Sequence, residues 1–575
     1  MSLLIESITH PYILHLLAFI CGALTYVAYF FHGEHHMYGF SYIQAHTLLF
    51  ATSTFLLYRL GSPLIEALLQ TLVYDGCFMA GLFGFLLTYR AFLNPLNAFP
   101  GPFIARIATF WISFRIKRLR MYKAFEELHE KYGYFVRVGS QEISITHPDA
   151  VVDIFGANSV CQKSTWYDIS KPQDSVLLRR TFAKHSERRA IWTQAFSVKA
   201  VRGYETRFHP YRAKMLSMLD DHAGQPVNIT HWLGLYSWDS MSDLSFGHSF
   251  GLLDSKDHHW AMKVLDKGMS IIGRHLPMWF VRLGSSVPGG NKDLKAMFKY
   301  CHEQMLLRYY VCAPPPQVSG VMNLHLTSLK QAKTEPKVPD VMSTLFVPYK
   351  KGALPFDETA IQLLAGESHL LVNAGSDTSR ITMICTLFVL ARQPELANRL
   401  RKELEPYAPK DPDEMLMDDT IMNLDLLNGI VQEALRLYPP SPSHPTRVTP
   451  PEGTVIAGRF IPGNTQVMAP QYVIGRDERI FPRATEFIPE RWYSLPELVK
   501  DKNAIAPFSL GPMNCVGKRL ALANIRVTVA SFVLRYNLSF PATQADPERA
   551  FEDGLYEHFS LQAGPLMLCL EKRHK

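Results

Sequence analysis

The residue whose chemistry stands out is Cys515, in the stretch PFSLGPMNCVGKRLALANIR that covers residues 507–526. A thiol near a helix N-terminus ionises more readily, and a thiolate is a soft, strongly donating metal ligand. Gly511 and Gly517 would let the backbone approach a flat group closely, and Phe508 could shield the sulfur. Taken alone, this stretch favours a buried structural cysteine; three further motifs change that balance towards a metal ligand.

The first of these motifs is AGSDTS, residues 374–379, inside a long apolar segment that predicts a helix. Gly375 weakens a helix, whereas Asp377 and Thr378 place polar groups on an otherwise apolar element. A hydroxyl beside an acid can pass protons to a bound group, and small neighbours would leave room for one. The alternative is a kinked core helix with a threonine bonded to its own backbone.

The other two motifs concern charge. Glu433 and Arg436, in EALRLYPP, are three residues apart and share a helix face, and Arg491, in FIPERW, could be a third member of a buried ion pair. His185 and Arg189, in HSERRAIW, are four apart and could grip an anion. Alone, the last pattern is more typical of a solvated basic face.

The elements that must position these residues are mostly helical. Helical patterns dominate residues 149–440, while alternating patterns predict a hairpin at 134–148, short strands at 453–470 and a closing hairpin. The fold class is therefore mainly α with a minor β portion.

The first 93 residues differ from the rest and predict a membrane anchor. Apolar segments at about 13–31, 45–60 and 64–89 predict two or three transmembrane helices, since a span needs about 20 apolar residues. No lysine or arginine precedes Arg59, and basic residues begin at Arg90, so the following body faces the cytosol. A cleaved signal peptide is the alternative, but this N-terminus lacks the basic first region that signal peptides have. Prolines at 95, 100 and 102 predict a hinge over 94–102, which leaves 103–575 as the catalytic domain.

Composition excludes several other functions. The net charge of +7 over 575 residues is dispersed, which argues against a nucleic-acid partner. The eight cysteines are scattered without CxxC spacing, so neither a disulfide framework nor a zinc site is indicated. No glycine-rich dinucleotide motif is present, so any electrons must come from a separate protein.

Together these motifs resemble the cytochrome P-450 family, the haem-thiolate monooxygenases. They occur in the family's order, HxxxR, AGxDT, ExxR, PERW and FxxGxxxCxG, from about Pro100 to the C-terminus. The multi-span anchor and the sequence HSERRAIWTQAF, residues 185–196, resemble those of membrane-bound fungal members that serve secondary metabolism. The resemblance implies a cytochrome P-450 fold and haem b as cofactor, with Cys515 as the axial ligand of the iron.

The resemblance also implies roles for the remaining residues. Asp377 and Thr378 look like the family's acid–alcohol pair that delivers protons to bound dioxygen, and Phe508, Gly511 and Gly517 would surround the cofactor. The propionates of the haem would be held by His185, Arg189 and Arg447, and the structural triad would be Glu433, Arg436 and Arg491. Met513 departs from the pattern, because the family usually has arginine or histidine there.

The implied activity inserts one oxygen atom into a lipophilic small molecule at the endoplasmic reticulum membrane. An NADPH-cytochrome P-450 reductase would supply electrons. It would dock near Lys518, Arg519 and Arg526, for which an ordinary solvated helix surface is an equal alternative. Substrate contacts would come from residues near 164–180, 367–374, 441–446 and 559–562. Two alternatives stay open: a membrane-anchored haem sensor or carrier without turnover, and a family member that rearranges its substrate without a reductase.

Overall fold

The computed structural model describes residues 11–256, 260, 272–287, 289–290, 292–312, 338–411, 414–443 and 445–573. The first ten residues of the predicted anchor and His444, within the predicted substrate segment 441–446, lie outside this range. The described chain is mainly helical with short strands, as the sequence predicts, and it forms two compact units.

The first unit contains the apolar N-terminal helices. Its helices are Pro11–Thr25, Gly39–Arg59, Leu64–Thr88, Phe103–Ile107, Trp111–Arg115 and Met278–Ser286. The first and third continue as π-helical turns, Tyr26–Phe30 and Tyr89–Leu93. Residues 12–30 and 64–98 are long and apolar enough to cross a membrane. The helix that contains the predicted middle span, 45–60, is less apolar than these two, because it carries several hydroxyl, amide and imidazole side chains.

Two glycines bring the first and third of these helices close together. A Cβ at Gly22 would lie 1.9 Å from the carbonyl oxygen of Phe78, and one at Gly81 would lie 2.0 Å from that of Phe19. Small residues that permit such close approach are typical of helix pairs in membranes, where packing replaces the hydrophobic effect. Large side chains such as Leu16 and Leu24 point outward and are exposed.

The second unit holds every residue singled out for chemistry. Its longer helices are Met121–Tyr132, Phe182–Ala195, Val198–Asp220, Ile229–Phe246, Lys292–Cys312, Val341–Lys350, Glu358–Arg392, Pro394–Leu404, Asp425–Leu437 and Lys518–Arg535. Shorter helices are Asp149–Phe155, Leu252–Ser255, Asp418–Ile421, Gln471–Ile474 and Pro547–Asp553.

The strands are short, and several of them contribute side chains to the hydrophobic core. They are Phe135–Gly139, Glu142–Ile145, Gln162–Lys163, Pro226–Asn228, Thr446–Val448, Thr454–Ile456, Arg459–Ile461, Gln466–Met468, Tyr536–Ser539, Tyr556–Glu557, Leu561–Gln562 and Met567–Lys572. The pair that matters for the site is antiparallel: Lys163 lies opposite Arg447, which in turn lies opposite Val467.

The helix Glu358–Arg392, here the distal helix, runs through the core for 35 residues. The side chain of Asp357 caps it by accepting the N–H of Ala360 at 2.9 Å, and apolar residues from Ala360 to Ala391 are buried along it. The helix continues unbroken through Gly375. A Cβ there would lie 2.2 Å from the terminal carbon of Met241, so this glycine accommodates a core side chain.

Candidate active site

The loop Phe508–Gly517, here the cysteine loop, presents Cys515 just before the helix Lys518–Arg535. The N–H of Cys515 donates to the carbonyl of Phe508 at 2.8 Å, which closes the loop. Ser509 and Gly511 have φ of +57° and +63°, the left-handed region. A Cβ at Gly511 would lie 2.6 Å from the carbonyl oxygens of both Phe155 and Gly156, so only glycine fits at this point.

The protein's own backbone requires glycine at position 511, because the carbonyls of Phe155 and Gly156 fill the space of a side chain. Gly517 differs, because a Cβ there would lie 3.7 Å from Phe196 and 3.9 Å from the sulfur of Cys515, which is ordinary contact. Its missing side chain keeps one side of the sulfur clear.

The surroundings of the Cys515 thiol act on it in two directions. The side chain is accessible, yet the dense protein around the sulfur disfavours charge there and raises its pKa. The N–H groups of Gly517 and Lys518, together with the positive charge of Arg189, oppose that rise. These groups would stabilise a thiolate once a metal cation supplies the remaining positive charge.

Four basic residues, here the basic cluster, lie together in the second unit: Lys163, His185, Arg189 and Arg447. The first, second and fourth are at most 4% exposed. Lys163 donates to the carbonyls of Leu177 at 2.7 Å and Val176 at 3.2 Å. Arg447 donates to the hydroxyl of Tyr167 at 3.0 Å and lies over the ring of Phe155. Their hydrogen-bond partners are neutral, and within the described part of the chain no member forms a salt bridge to a carboxylate.

The pKa values of two cluster members are lowered, mainly by burial and then by the neighbouring cations. Burial, followed by the charges of Arg447 and Arg189, lowers the pKa of Lys163 to about 6. Burial, followed by Lys163, Arg189 and Arg447, lowers the pKa of His185 to about 3. The Nδ1 atom of His185 is buried with no hydrogen-bond partner. An anion bound here would compensate the charge and give that nitrogen a partner.

Arg189 joins the basic cluster to the cysteine loop. Its guanidinium donates to the backbone carbonyl of Asn514 at 2.5 Å and to the side-chain oxygen of the same residue at 2.7 Å. Asn514 lies between Met513 and Cys515. Arg189, on the helix Phe182–Ala195, therefore places a cation next to Met513, the position where the resemblance implies an arginine or histidine.

Lys163 was not among the residues singled out from the sequence. It stands in a two-residue strand, and its importance comes from the register that places it opposite Arg447, 284 positions later in the chain. No local pattern encodes such a pairing. The one available signal is that Lys163 directly precedes the loop 164–180, which is predicted to contact substrate.

The distal helix places Asp377 beside two donors. Its carboxylate forms an ion pair with Arg380 at 3.2 Å and accepts from the side-chain amide of Gln562 at 3.5 Å. Gln562 also accepts from Arg380. The hydroxyl of Thr378 donates to the carbonyl of Ala374 at 2.7 Å, one turn earlier. Ala374 is exposed, so this turn has an accessible side within an otherwise buried helix.

The predicted ion pair at ExxR is present and fully buried. Arg436 donates to both carboxylate oxygens of Glu433, at 2.9 and 2.6 Å, and Arg491 donates to the same group at 2.9 Å. The carboxylate also accepts from the indole of Trp492 and from the N–H of Ile488, each at 2.9 Å. The remaining arginine donors bind backbone carbonyls between Gly475 and Leu498.

Two expectations about surfaces need correction. Arg526 is 8% exposed and binds Asp418 through two bonds of 2.6 Å, so it is part of the interior and does not contribute to a docking face, unlike the exposed Lys518 and Arg519. Glu367, at the start of the predicted substrate segment 367–374, is fully buried and binds Arg188.

Two other predicted substrate segments meet each other. Trp166, in segment 164–180, stacks on Phe559, in segment 559–562, with ring centroids 4.8 Å apart and planes 10° apart. Phe559 has a φ of +100°, a conformation that a bulky residue rarely adopts. Gln562, three residues later, is the residue that bonds Asp377. The aromatic pair therefore lies on a turn that is tied to the acid of the distal helix.

The residues present fit a haem. An accessible thiol lies at the N-terminus of a helix, and a buried excess of positive charge, with an unpartnered imidazole nitrogen, lies beside it. The iron of haem can take a thiolate ligand. Haem also carries two carboxylates, which require cations as partners. Both halves of that requirement are met within the second unit.

Comparisons with known proteins agree with this interpretation. The family model described as cytochrome P-450 matches residues 100–312 and 318–570. A cytochrome P-450 monooxygenase of Aspergillus versicolor, notG', is 38% identical over 562 residues, which cover 98% of each chain. A tryprostatin B 6-hydroxylase of Aspergillus fumigatus is 37% identical over 562 residues, covering 96% of each chain.

The fold is also that of a solved structure. The crystal structure of a cytochrome P-450 haem domain superposes with a TM-score of 0.64 at 17% sequence identity, covering 83% of this chain and 98% of that one. The order of motifs, the arrangement of the second unit and the full-length relatives all point the same way. This chain belongs to the cytochrome P-450 family and is a monooxygenase of that family.

Proposed function

We propose that this protein is a membrane-anchored haem-thiolate monooxygenase that oxidises a lipophilic small molecule in fungal secondary metabolism. Electrons come from a separate NADPH-dependent reductase. The observation that carries the proposal is the convergence of the basic cluster on the cysteine loop, through the bonds from Arg189 to Asn514. Curated relatives that match nearly the whole chain are monooxygenases of fungi, and one is named for hydroxylating tryprostatin B.

In this proposal the haem, when bound, supplies the activation of dioxygen, and the protein supplies ligand, charge and protons. The sulfur of Cys515 would bind the iron. Lys163, His185, Arg189 and Arg447 would hold the two carboxylates. Because Arg189 reaches the backbone beside Cys515, it can set the position of ligand and carboxylates together. A cation beside Met513, the residue that departs from the family pattern, supports haem binding at this loop.

The ligand assignment is tested by Cys515→Ser. A serine oxygen is a harder donor than a thiolate and binds ferrous iron weakly. We expect the reduced, carbon-monoxide-bound form to lose the Soret position that marks thiolate ligation. Cys569→Ser, at a half-buried cysteine in a strand, is the matched control and should leave the spectrum unchanged. A Cys515→Ser spectrum identical to that of the parent protein would remove the assignment.

Asp377 and Thr378 are proposed to deliver protons. Arg380 and Gln562 hold the carboxylate of Asp377, and the Thr378 hydroxyl has an oxygen that still accepts a bond while its proton is shared with Ala374. General acid–base assistance is worth about 10²–10⁴ in rate. Thr378→Ala should therefore lower product formed per NADPH consumed and raise hydrogen peroxide. Thr386→Ala, further along the same helix, is the control; equal coupling in both variants would contradict the role.

Residues 1–93 are proposed to anchor the protein in the endoplasmic reticulum membrane with its catalytic domain in the cytosol. The two apolar helices, the close approach at Gly22 and Gly81 and the basic residues that begin at Arg90 support this placement. Deleting residues 1–93 should release most of the protein from membranes washed with alkaline carbonate, with haem retained. Loss of haem on deletion would show that the anchor belongs to the fold of the catalytic domain.

A further inference from the structure

The buried ion pair between Arg188 and Glu367 has no place in the proposed chemistry, yet it lies between the two helices that matter most. Arg188 is on the helix Phe182–Ala195, which carries His185 and Arg189, and Glu367 is on the distal helix, which carries Asp377 and Thr378. The side chains of Arg188 and Glu367 are 2% and 0% exposed. A buried ion pair is costly to maintain, so its presence at this junction calls for a function beyond packing.

The pairing is geometrically specific. The guanidinium of Arg188 donates through two nitrogens to both oxygens of Glu367, with the Nε bond at 2.7 Å. The indole of Trp192 donates to the same carboxylate at 2.8 Å, and Arg188 also reaches the hydroxyl of Tyr349 at 3.3 Å. Burial lowers the pKa of Arg188, but the bonds and charge of Glu367 outweigh it and raise the pKa, so the guanidinium stays charged. A bidentate hydrogen bond between a planar guanidinium and a carboxylate fixes the relative orientation of the two groups as well as their distance.

The adjacent residue fixes a second segment at the same turn. A Cβ at Gly366 would lie 2.0 Å from the carbonyl oxygen of Asp174, so the backbone of the loop 164–180 rests directly on the distal helix. Asp174 is in turn bound to Arg179 at 2.9 Å, just before the helix Phe182–Ala195 begins. One turn of the distal helix, Gly366–Glu367, therefore holds the chain from Asp174 to Trp192.

We propose that Glu367 is a positioning residue for the basic cluster: by binding Arg188 and Trp192 it sets the rotation of the helix Phe182–Ala195 and so the places of His185 and Arg189. The inference rests on the proposed role of the cluster in holding the haem carboxylates. His185, Arg188 and Trp192 follow each other at intervals of three and four, so one face of this helix carries both the pair and a cluster member. A rotation of about 10° moves a side-chain tip about 1 Å, since tips lie about 6 Å from a helix axis.

The test separates positioning from stability. Glu367→Gln alone leaves Arg188 charged and unpaired, so it destabilises the fold. The double variant Arg188→Met/Glu367→Gln is neutral, preserves volume and retains an acceptor for Trp192; replacing both charges of a buried pair in this way is often neutral for stability. We expect the double variant to recover the thermal unfolding midpoint of the parent, measured on the full chain in detergent.

The second readout is the rate at which haem transfers to excess apomyoglobin. We expect the double variant to lose haem about tenfold faster than the parent, the low end of the effect of groups that orient metal ligands. Trp192→Phe retains the ring that stacks on Phe196 and removes one bond, so about threefold faster loss is expected. Unchanged haem loss in both variants would overturn the proposal.

A matched control and a reference variant complete the design. Arg308 and Asp340 form another ion pair at 5% and 0% exposure, away from the basic cluster, and Arg308→Met/Asp340→Asn should leave haem loss unchanged. Equal acceleration in that control would show a general effect of burying neutral pairs, and would contradict positioning. Arg447→Ala tests the cluster itself. Fast haem loss in Arg447→Ala with normal loss in the Glu367 variants would refute only the positioning role. Normal haem loss in Arg447→Ala would refute the role of the basic cluster in holding the haem carboxylates.

Discussion

Two buried groups of charge in the second unit differ in one respect. The triad Glu433, Arg436 and Arg491 has a carboxylate at its centre, and its arginines complete their bonds on backbone carbonyls. The basic cluster, as far as the described residues go, bonds only to neutral carbonyls, a hydroxyl and an amide. The group that contains a carboxylate holds loops in place; the group without one lowers stability until an anion binds. The comparison teaches that compensation, and not burial alone, separates a structural ion pair from a binding site.

The largest expected effect comes from unbalancing the triad. Glu433→Gln leaves two buried guanidiniums without their anion, and breaking a buried pair costs about 3–5 kcal/mol. We expect a large fall in the thermal unfolding midpoint and little folded holoprotein. Glu490→Gln removes a partner of Arg399 in a half-exposed pair and should cost less than about 1 kcal/mol. Similar unfolding midpoints for the two variants would mean that the triad contributes no more to the stability of the fold than a half-exposed ion pair does.

A smaller, selective effect is expected from the cluster. Arg447→Ala removes one cation from a group that has too many, so the fold should tolerate it, whereas the haem-to-protein ratio after purification should fall severalfold. Arg202→Ala, at an exposed pair with Asp419, is the control. Full haem occupancy in Arg447→Ala would show that the carboxylates are held by other groups.

The smallest effect is expected at Met513. Arg189 already reaches Asn514, so Met513→Arg adds a second cation beside the first and should be tolerated or should raise haem retention slightly. Met513→Leu preserves size without charge and should match the parent. Haem loss in Met513→Arg, measured as the same ratio, would place the carboxylates away from this loop.

The extent to which sequence alone predicts the site follows the range of its contacts. Motifs that act within one element, such as Glu433 with Arg436 or Cys515 ahead of its helix, are visible as spacing. Lys163 and Glu367 are not, because each acquires its partner from a segment far along the chain. The fold class and family were predictable from the order of motifs.

Neighbours in space also reversed some local interpretations. Gly375 accommodates the side chain of Met241, a contact that the sequence does not show, and Arg526, expected on a docking surface, is bound to Asp418 in the interior. In both cases the residue type was informative, but the burial that decides its role is a property of the packed core.

The central claim is that the basic cluster is completed by the carboxylates of haem. The direct measurement is the affinity of the apoprotein for haem and for haem dimethyl ester, which has the same ring and iron but no carboxylate charge. We predict at least about tenfold tighter binding of the free acid, and a ratio that falls towards one in Arg447→Ala. Equal affinity for the two haems in the parent protein would contradict the claim.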